Sequence, residues 1–163
     1  MNLDHLRTYM KDHYAGSVAA LQLLDHLVTT NAAKPQESFF IALRREVTED
    51  QTALEKMLRE LDGAEGLVRN AVAFLGEKLS RVKLLLEDPS GGRLAYFEKL
   101  EALALGIEGK RALWRALGAV AAEAPILRNV DFDRLDQRAD AQRRRVEAVR
   151  IQAAREAFMS SGN

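Results

Sequence analysis

Residues 40–61 read Phe40-Ile41-Ala42-Leu43-Arg44-Arg45-Glu46-Val47-Thr48-Glu49-Asp50-Gln51-Thr52-Ala53-Leu54-Glu55-Lys56-Met57-Leu58-Arg59-Glu60-Leu61. Within them Phe40, Leu43, Val47, Asp50, Leu54, Met57 and Leu61 follow one another at alternating steps of three and four. Such steps average close to the 3.6 residues of a helical turn, so these side chains form one stripe along a helix. The two-residue alternation of a half-buried strand is missing. The stripe is the seam of a helix bundle, and one of its members is an aspartate.

The same period extends outward on both sides. Upstream, Leu3, Leu6, Met10, His13, Ser17, Ala20, Leu24 and Leu27 predict a helix over about 3–30. Downstream, Val68, Val72, Leu75, Leu79, Val82 and Leu86 predict another over about 64–86. Leu100, Leu103, Ile107, Trp114, Leu117 and Ala121 predict a fourth over about 93–121. Ala104, Leu105 and Ala112 widen its apolar surface, so burial on more than one side is expected. Leu135, Ala139, Gln142, Val146, Val149 and Ala153 predict the last, over about 133–158. Gly106 and Gly109 lie inside the fourth helix, where each costs about 1 kcal/mol against alanine. Close packing against a neighbouring helix is the expected reason, with a kink at a ligand site as the alternative.

Breakers separate these segments. Pro35 suits the first turn of the second helix. Gly63 reads as the left-handed cap that ends it. Glu87-Asp88-Pro89-Ser90-Gly91-Gly92 is the strongest turn signal. A longer connection runs over 124–131, and Asp131 or Asp133 is placed to cap the final helix. The expectation is an all-α, up-down bundle of about five long helices, with 1–159 as a single domain and 160–163 as a frayed tail.

Composition narrows the function. The 163 residues are 47% hydrophobic and 29% charged, values of a chain that folds around a core. Lys+Arg and Asp+Glu are both 24, so no basic excess points to nucleic acid. There is no cysteine, which removes disulfides, thiolate catalysis and cysteine-ligated zinc. No run of about 18 apolar residues predicts a membrane span, and the N-terminal sequence lacks the pattern of a signal peptide. A cytoplasmic protein is expected. Phosphate loops, the dinucleotide-binding glycine pattern and the His-Glu-x-x-His motif are missing from the sequence.

Polar residues on the seams are the candidate site. His13 and Asp50 each lie roughly 25–30 Å from the turn joining the first two helices, at 1.5 Å per residue. On an antiparallel hairpin they share a level and a face. A hydrogen-bonded His13–Asp50 pair is therefore expected, because an unpaired buried charge is costly. Glu46 lies one turn before Asp50. Glu101 and Glu108, seven residues apart, share a face of the fourth helix, and Arg111 follows Glu108 at i+3. The expected role of that face is a salt-bridged flank; the alternative is that it supplies carboxylates to the core of His13 and Asp50. Arg143-Arg144-Arg145 is read as a solvated charged face among Asp136, Asp140 and Glu147.

A hairpin of long helices, a further long pair and core-facing acids with an imidazole resemble the ferritin-like superfamily. The stretch Leu6-Arg7-Thr8-Tyr9-Met10-Lys11-Asp12-His13-Tyr14-Ala15-Gly16-Ser17-Val18-Ala19-Ala20-Leu21-Gln22-Leu23-Leu24 is similar to the first helix of bacterial ferritin-like proteins. The resemblance implies a scaffold. Metal-binding members carry one Glu on each of two helices and Glu-x-x-His on the other two. Here His13 stands near the expected first Glu, Glu46-Val47-Thr48-Glu49-Asp50 has an acid in the histidine place, and all three histidines fall on the first helix. The expected function is a metal-free binding or structural module for a protein or small-molecule partner, with no cofactor and no nucleic-acid or membrane partner. A second copy of the chain is an alternative partner. The alternative function is an oxidoreductase-type protein holding iron or manganese through His13, Glu46, Asp50, Glu101 and Glu108.

Overall fold

The computed structural model describes residues 1–62 and 92–159. Among these residues there are four α-helices and no strand. They are α1 (Leu3–Thr30), α2 (Glu37–Asp62), α3 (Arg93–Ala119) and α4 (Phe132–Met159), with a short 3-10 turn at Pro125–Leu127 between the last two. The helix expected over 64–86, the Gly63 cap, most of the 87–92 turn and the tail at 160–163 lie outside the described residues.

Local chemistry sets the helix ends. The Asn2 side chain accepts from the backbone N–H groups of Asp4 and His5 at 3.1 Å, satisfying two orphan donors of α1. Asn31 closes the other end, its Nδ2 donating to the Leu27 carbonyl at 2.8 Å. The chain then turns through Ala33 at φ 59°, in the left-handed region. The Glu37 carboxylate accepts from the Ala33 N–H at 2.9 Å. Helix α2 thus begins at Glu37, two residues after the expected Pro35, because 31–36 form the turn.

Cross-helix pairs fix the directions. Gln51 Nε2 donates to Ser17 Oγ at 2.9 Å, and Arg44 pairs with Asp25, so α1 and α2 are antiparallel. Arg111 pairs with Asp136 at 3.1 Å and Arg150 with Glu101 at 3.0 Å, so α3 and α4 are antiparallel too. Glu46–Arg145 and Glu49–Arg138 join α2 to α4 in the same sense. Helices α2 and α3 therefore run the same way.

One apolar cluster lies between the helices. Met10, Leu24, Phe40, Leu43, Leu58, Leu100, Leu103, Trp114 and Leu117 are all buried within it. Each such side chain contributes about 1.5–3 kcal/mol of transfer free energy. The α2 stripe is buried from Phe40 to Met57, Asp50 included. On α1 the stripe drifts: Leu3 is exposed, while Ala15, Ala19 and Leu23 are buried instead.

Two expectations for α3 are corrected. Leu105 is 68% exposed and Ala112 is exposed, so α3 is not buried on both of those faces among the described residues. Leu105 stands two residues, or about 200°, from Leu103, on the opposite side of the helix. Nor do Gly106 and Gly109 serve close packing: a Cβ at either meets nothing within 4 Å. The glycine that packing requires is Gly118, where a Cβ would approach the Phe132 Cβ at 3.2 Å.

Candidate functional site

Asp50 sits in the middle of α2 and is 1% exposed. Its carboxylate is held from α3 and α4. The Lys110 ammonium of α3 donates to Oδ2 at 2.5 Å, and the Gln142 amide of α4 donates to the same oxygen at 3.1 Å. Arg138 of α4 donates to Oδ1. Lys110 also donates to Gln142 Oε1 at 2.5 Å, so Asp50, Lys110 and Gln142 form a closed triangle. Arg138 reaches on to Glu49 at 3.1 Å. Such bonds to charged groups offset part of the cost of taking the charges out of water.

Burial pushes the Lys110 ammonium below the ordinary lysine range, and Asp50 opposes that shift. The ammonium has three donors. Two are spent on Asp50 and Gln142, which leaves one for another acceptor.

Beside the triangle lies a cavity of about 210 Å³ between α1, α2 and α3. Val47, Leu54, Leu103, Ile107, Leu113 and Trp114 supply its apolar wall. His13, Ser17, Asp50, Gln51, Lys110 and Asp12 supply its polar groups. Gly16, Gly106 and Gly109 border it too, and a Cβ at any of the three meets open space. The α3 glycines therefore leave volume that side chains would otherwise take. The Trp114 indole N–H is buried and lacks a hydrogen-bond acceptor among the described residues.

The residues singled out by sequence divide into two groups. His13 and Asp50 do line one cavity. The direct bond expected between them is not formed: Asp50 is satisfied by Lys110, Arg138 and Gln142, and among the described residues no hydrogen bond joins it to His13. The His13 ring stands edge-on to Tyr9, with centroids 4.7 Å apart. Glu46, Glu101 and Glu108 lie elsewhere. Glu46 accepts from Arg145, Glu101 from Arg150, and Glu108 from Arg111 with Arg143 at 3.3 Å. Glu101 and Glu108 are half-exposed members of the α3–α4 flank, so that face brings no carboxylate to the cavity. The arginine triplet is likewise spent on acids: Arg143 on Glu108, Arg144 on Asp140, and Arg145 on Glu46.

Glu46, Glu101 and Glu108 do not line the cavity that His13 and Asp50 share. Asp50, Glu46, Glu101 and Glu108 each accept from a lysine or arginine. Among the described residues no three His, Asp or Glu side chains converge as a metal-binding group.

Lys110, Arg138 and Gln142 were not chosen from sequence, although two of them left a trace. The α3 stripe jumps seven residues from Ile107 to Trp114. Lys110 fills that gap at i+3 and i−4 and so occupies the seam. Gln142 stands openly in the α4 stripe between Ala139 and Val146. Arg138 is one turn before Gln142 and carries no comparable signal.

Comparison with known protein families, with curated protein sequences and with solved structures finds no match to this chain. No helix among the described residues is long and apolar enough to cross a membrane.

Proposed function

We propose that this chain is a metal-free binding module that takes a small, largely apolar molecule into the cavity between α1, α2 and α3. The observation that carries the reading is the conjunction of an apolar cavity with the Trp114 indole N–H, buried without an acceptor among the described residues, and the Lys110 ammonium, which bonds Asp50 and Gln142 and keeps a third N–H. A cavity of about 150 Å³ lined by apolar side chains accepts benzene. The space here suits one six-membered ring with a short polar head. The ligand carries an acceptor oxygen, because a buried donor without a partner is costly and an acceptor would relieve it. The scaffold is read as ferritin-like: two antiparallel hairpins with α2 and α3 running the same way support that arrangement. The lack of cysteine fits a reducing compartment, and the protein is taken as cytoplasmic.

Three probes of one size test the reading by thermal unfolding: methylcyclohexane, cyclohexanone and cyclohexanecarboxylate. A specific ligand raises the midpoint in proportion to its affinity for the folded state. Cyclohexanone and the carboxylate are expected to raise it above methylcyclohexane at equal concentration. Equal, vanishing shifts for all three would overturn the proposal.

A further inference from the structure

A second polar site lies at one end of the bundle, where α1 and α4 finish and α3 begins. A groove of about 590 Å³ there is lined by His26, Lys34, Arg93, Tyr96, Lys99 and Glu156, among others. Lys99 is the unusual member. It is only 6% exposed, yet it forms no hydrogen bond or ion pair with any described residue. Its stem is buried, but its ammonium is not one of the fully enclosed unpartnered groups, so the charge opens onto the groove. The Tyr96 hydroxyl, one turn earlier on the same helix, is buried without an acceptor.

The start of α3 adds donors to the same groove. Its cap is Gly92, which lines the groove and supplies no side-chain hydrogen bond to the first turn. Among the described residues no side chain caps the first turn, and the positive end of the dipole of this 27-residue helix lies at the groove. The neighbouring helix ends do not cancel this. The Leu27 carbonyl of α1 takes the Asn31 amide at 2.8 Å, and the Thr30 carbonyl takes the Lys34 ammonium at 2.6 Å.

The charges facing the groove are unequal. Lys34, Arg93 and Lys99 are cations, and Glu156 is the carboxylate among the described lining residues. Glu156 accepts from Gln152 at 2.9 Å, and its backbone carbonyl accepts from Arg93 at 3.5 Å. With His26 neutral, two positive charges are in excess. A phosphate group carries about −1.5 to −2 at neutral pH and three acceptor oxygens. We propose that this groove binds a phosphate group, with Lys99, Tyr96 and Arg93 as its side-chain donors and the first turn of α3 as its backbone donor. The group belongs either to free inorganic phosphate or to a small phosphate monoester. The site is separate from the cavity around Asp50 and does not depend on it.

Calorimetric titration of the full chain with inorganic phosphate and with glycerol 2-phosphate tests the proposal. Sodium chloride at matched ionic strength is the control. Saturable binding of either phosphate, without a response to chloride, is expected. Tighter binding of the ester assigns the site to organic monoesters, and tighter binding of the inorganic ion assigns it to free phosphate; both support the site. Lys99→Met and Tyr96→Phe should each weaken binding, Lys99→Met by about tenfold or more. Lys99→Met should keep the wild-type fold in phosphate-free buffer, because methionine retains the buried stem and removes only the ammonium that opens onto the groove. The His26 imidazole resonance should titrate at higher pH when phosphate is bound. An equal response to chloride and phosphate, or an affinity unchanged in both variants, would overturn the proposal.

Discussion

The Lys110 ammonium of α3 stands 2.5 Å from the Asp50 carboxylate of α2, although the two side chains are only 13% and 1% exposed. The two helices run in the same direction and belong to different hairpins. This contact, closed by Gln142 and backed by Arg138 of α4, ties the hairpins together through their polar core.

Asp50→Ala should destabilise the fold by about 3–5 kcal/mol, because it strands Lys110 as an uncompensated buried charge beside Arg138. Lys110→Met should cost less, since Asp50 keeps Arg138 and Gln142. Chemical denaturation of both variants checks the order. A loss of under about 0.5 kcal/mol for Asp50→Ala is the behaviour of a surface residue and would contradict the burial.

Gly106→Ala and Gly109→Ala should each stabilise by about 0.5–1 kcal/mol, by removing the helix-interior cost of glycine at positions where a Cβ meets open space. Gly118→Ala should gain less or lose, because its Cβ would press on Phe132 at 3.2 Å. Thermal unfolding of the three variants side by side gives the ranking.

The flank acids should matter little. Glu101→Gln and Glu108→Gln remove half-exposed ion pairs to Arg150, Arg111 and Arg143, and each should change stability by less than about 1 kcal/mol. A larger loss in denaturant would show that these carboxylates do more than decorate the α3–α4 face.

His26 gives a pH dependence of definite sign. Burial, and after it the charge of Lys99, holds its pKa below the usual 6.5. In phosphate-free buffer, as pH falls below about 6.5 the unfolded chain takes up the proton before the folded chain does. Stability should therefore decline with falling pH from there until the folded pKa is reached. His26→Asn should flatten that part of a stability profile taken between pH 7 and 5.

Much of this fold was legible because seams are periodic. The α2 stripe is buried from Phe40 to Met57, with Leu61 partly buried, and it placed Asp50 in the core on the same cavity as His13. Its partner was misread for a physical reason. A short loop fixes the relative level of residues within one hairpin, but carries no information about which side chains of α3 and α4 face them. Lys110 escaped because a long, charged side chain in a seam gap looks like surface. Gly106 and Gly109 escaped because spacing shows that a helix lacks side chains, not whether a neighbour fills the space.

The central claim is that the cavity beside Asp50 and Lys110 admits a small molecule, and the only tryptophan of the chain, Trp114, lines it. The most direct measurement is Trp114 fluorescence during titration with cyclohexanone, in the wild type and in Gly109→Leu. Gly109 borders the cavity and a Cβ there meets nothing within 4 Å, so a leucine is expected to take up part of the cavity volume. The account predicts a saturable, single-site change in the wild type and its loss in a folded Gly109→Leu variant. A wild-type signal that never saturates, or one that survives unchanged in Gly109→Leu, would contradict it.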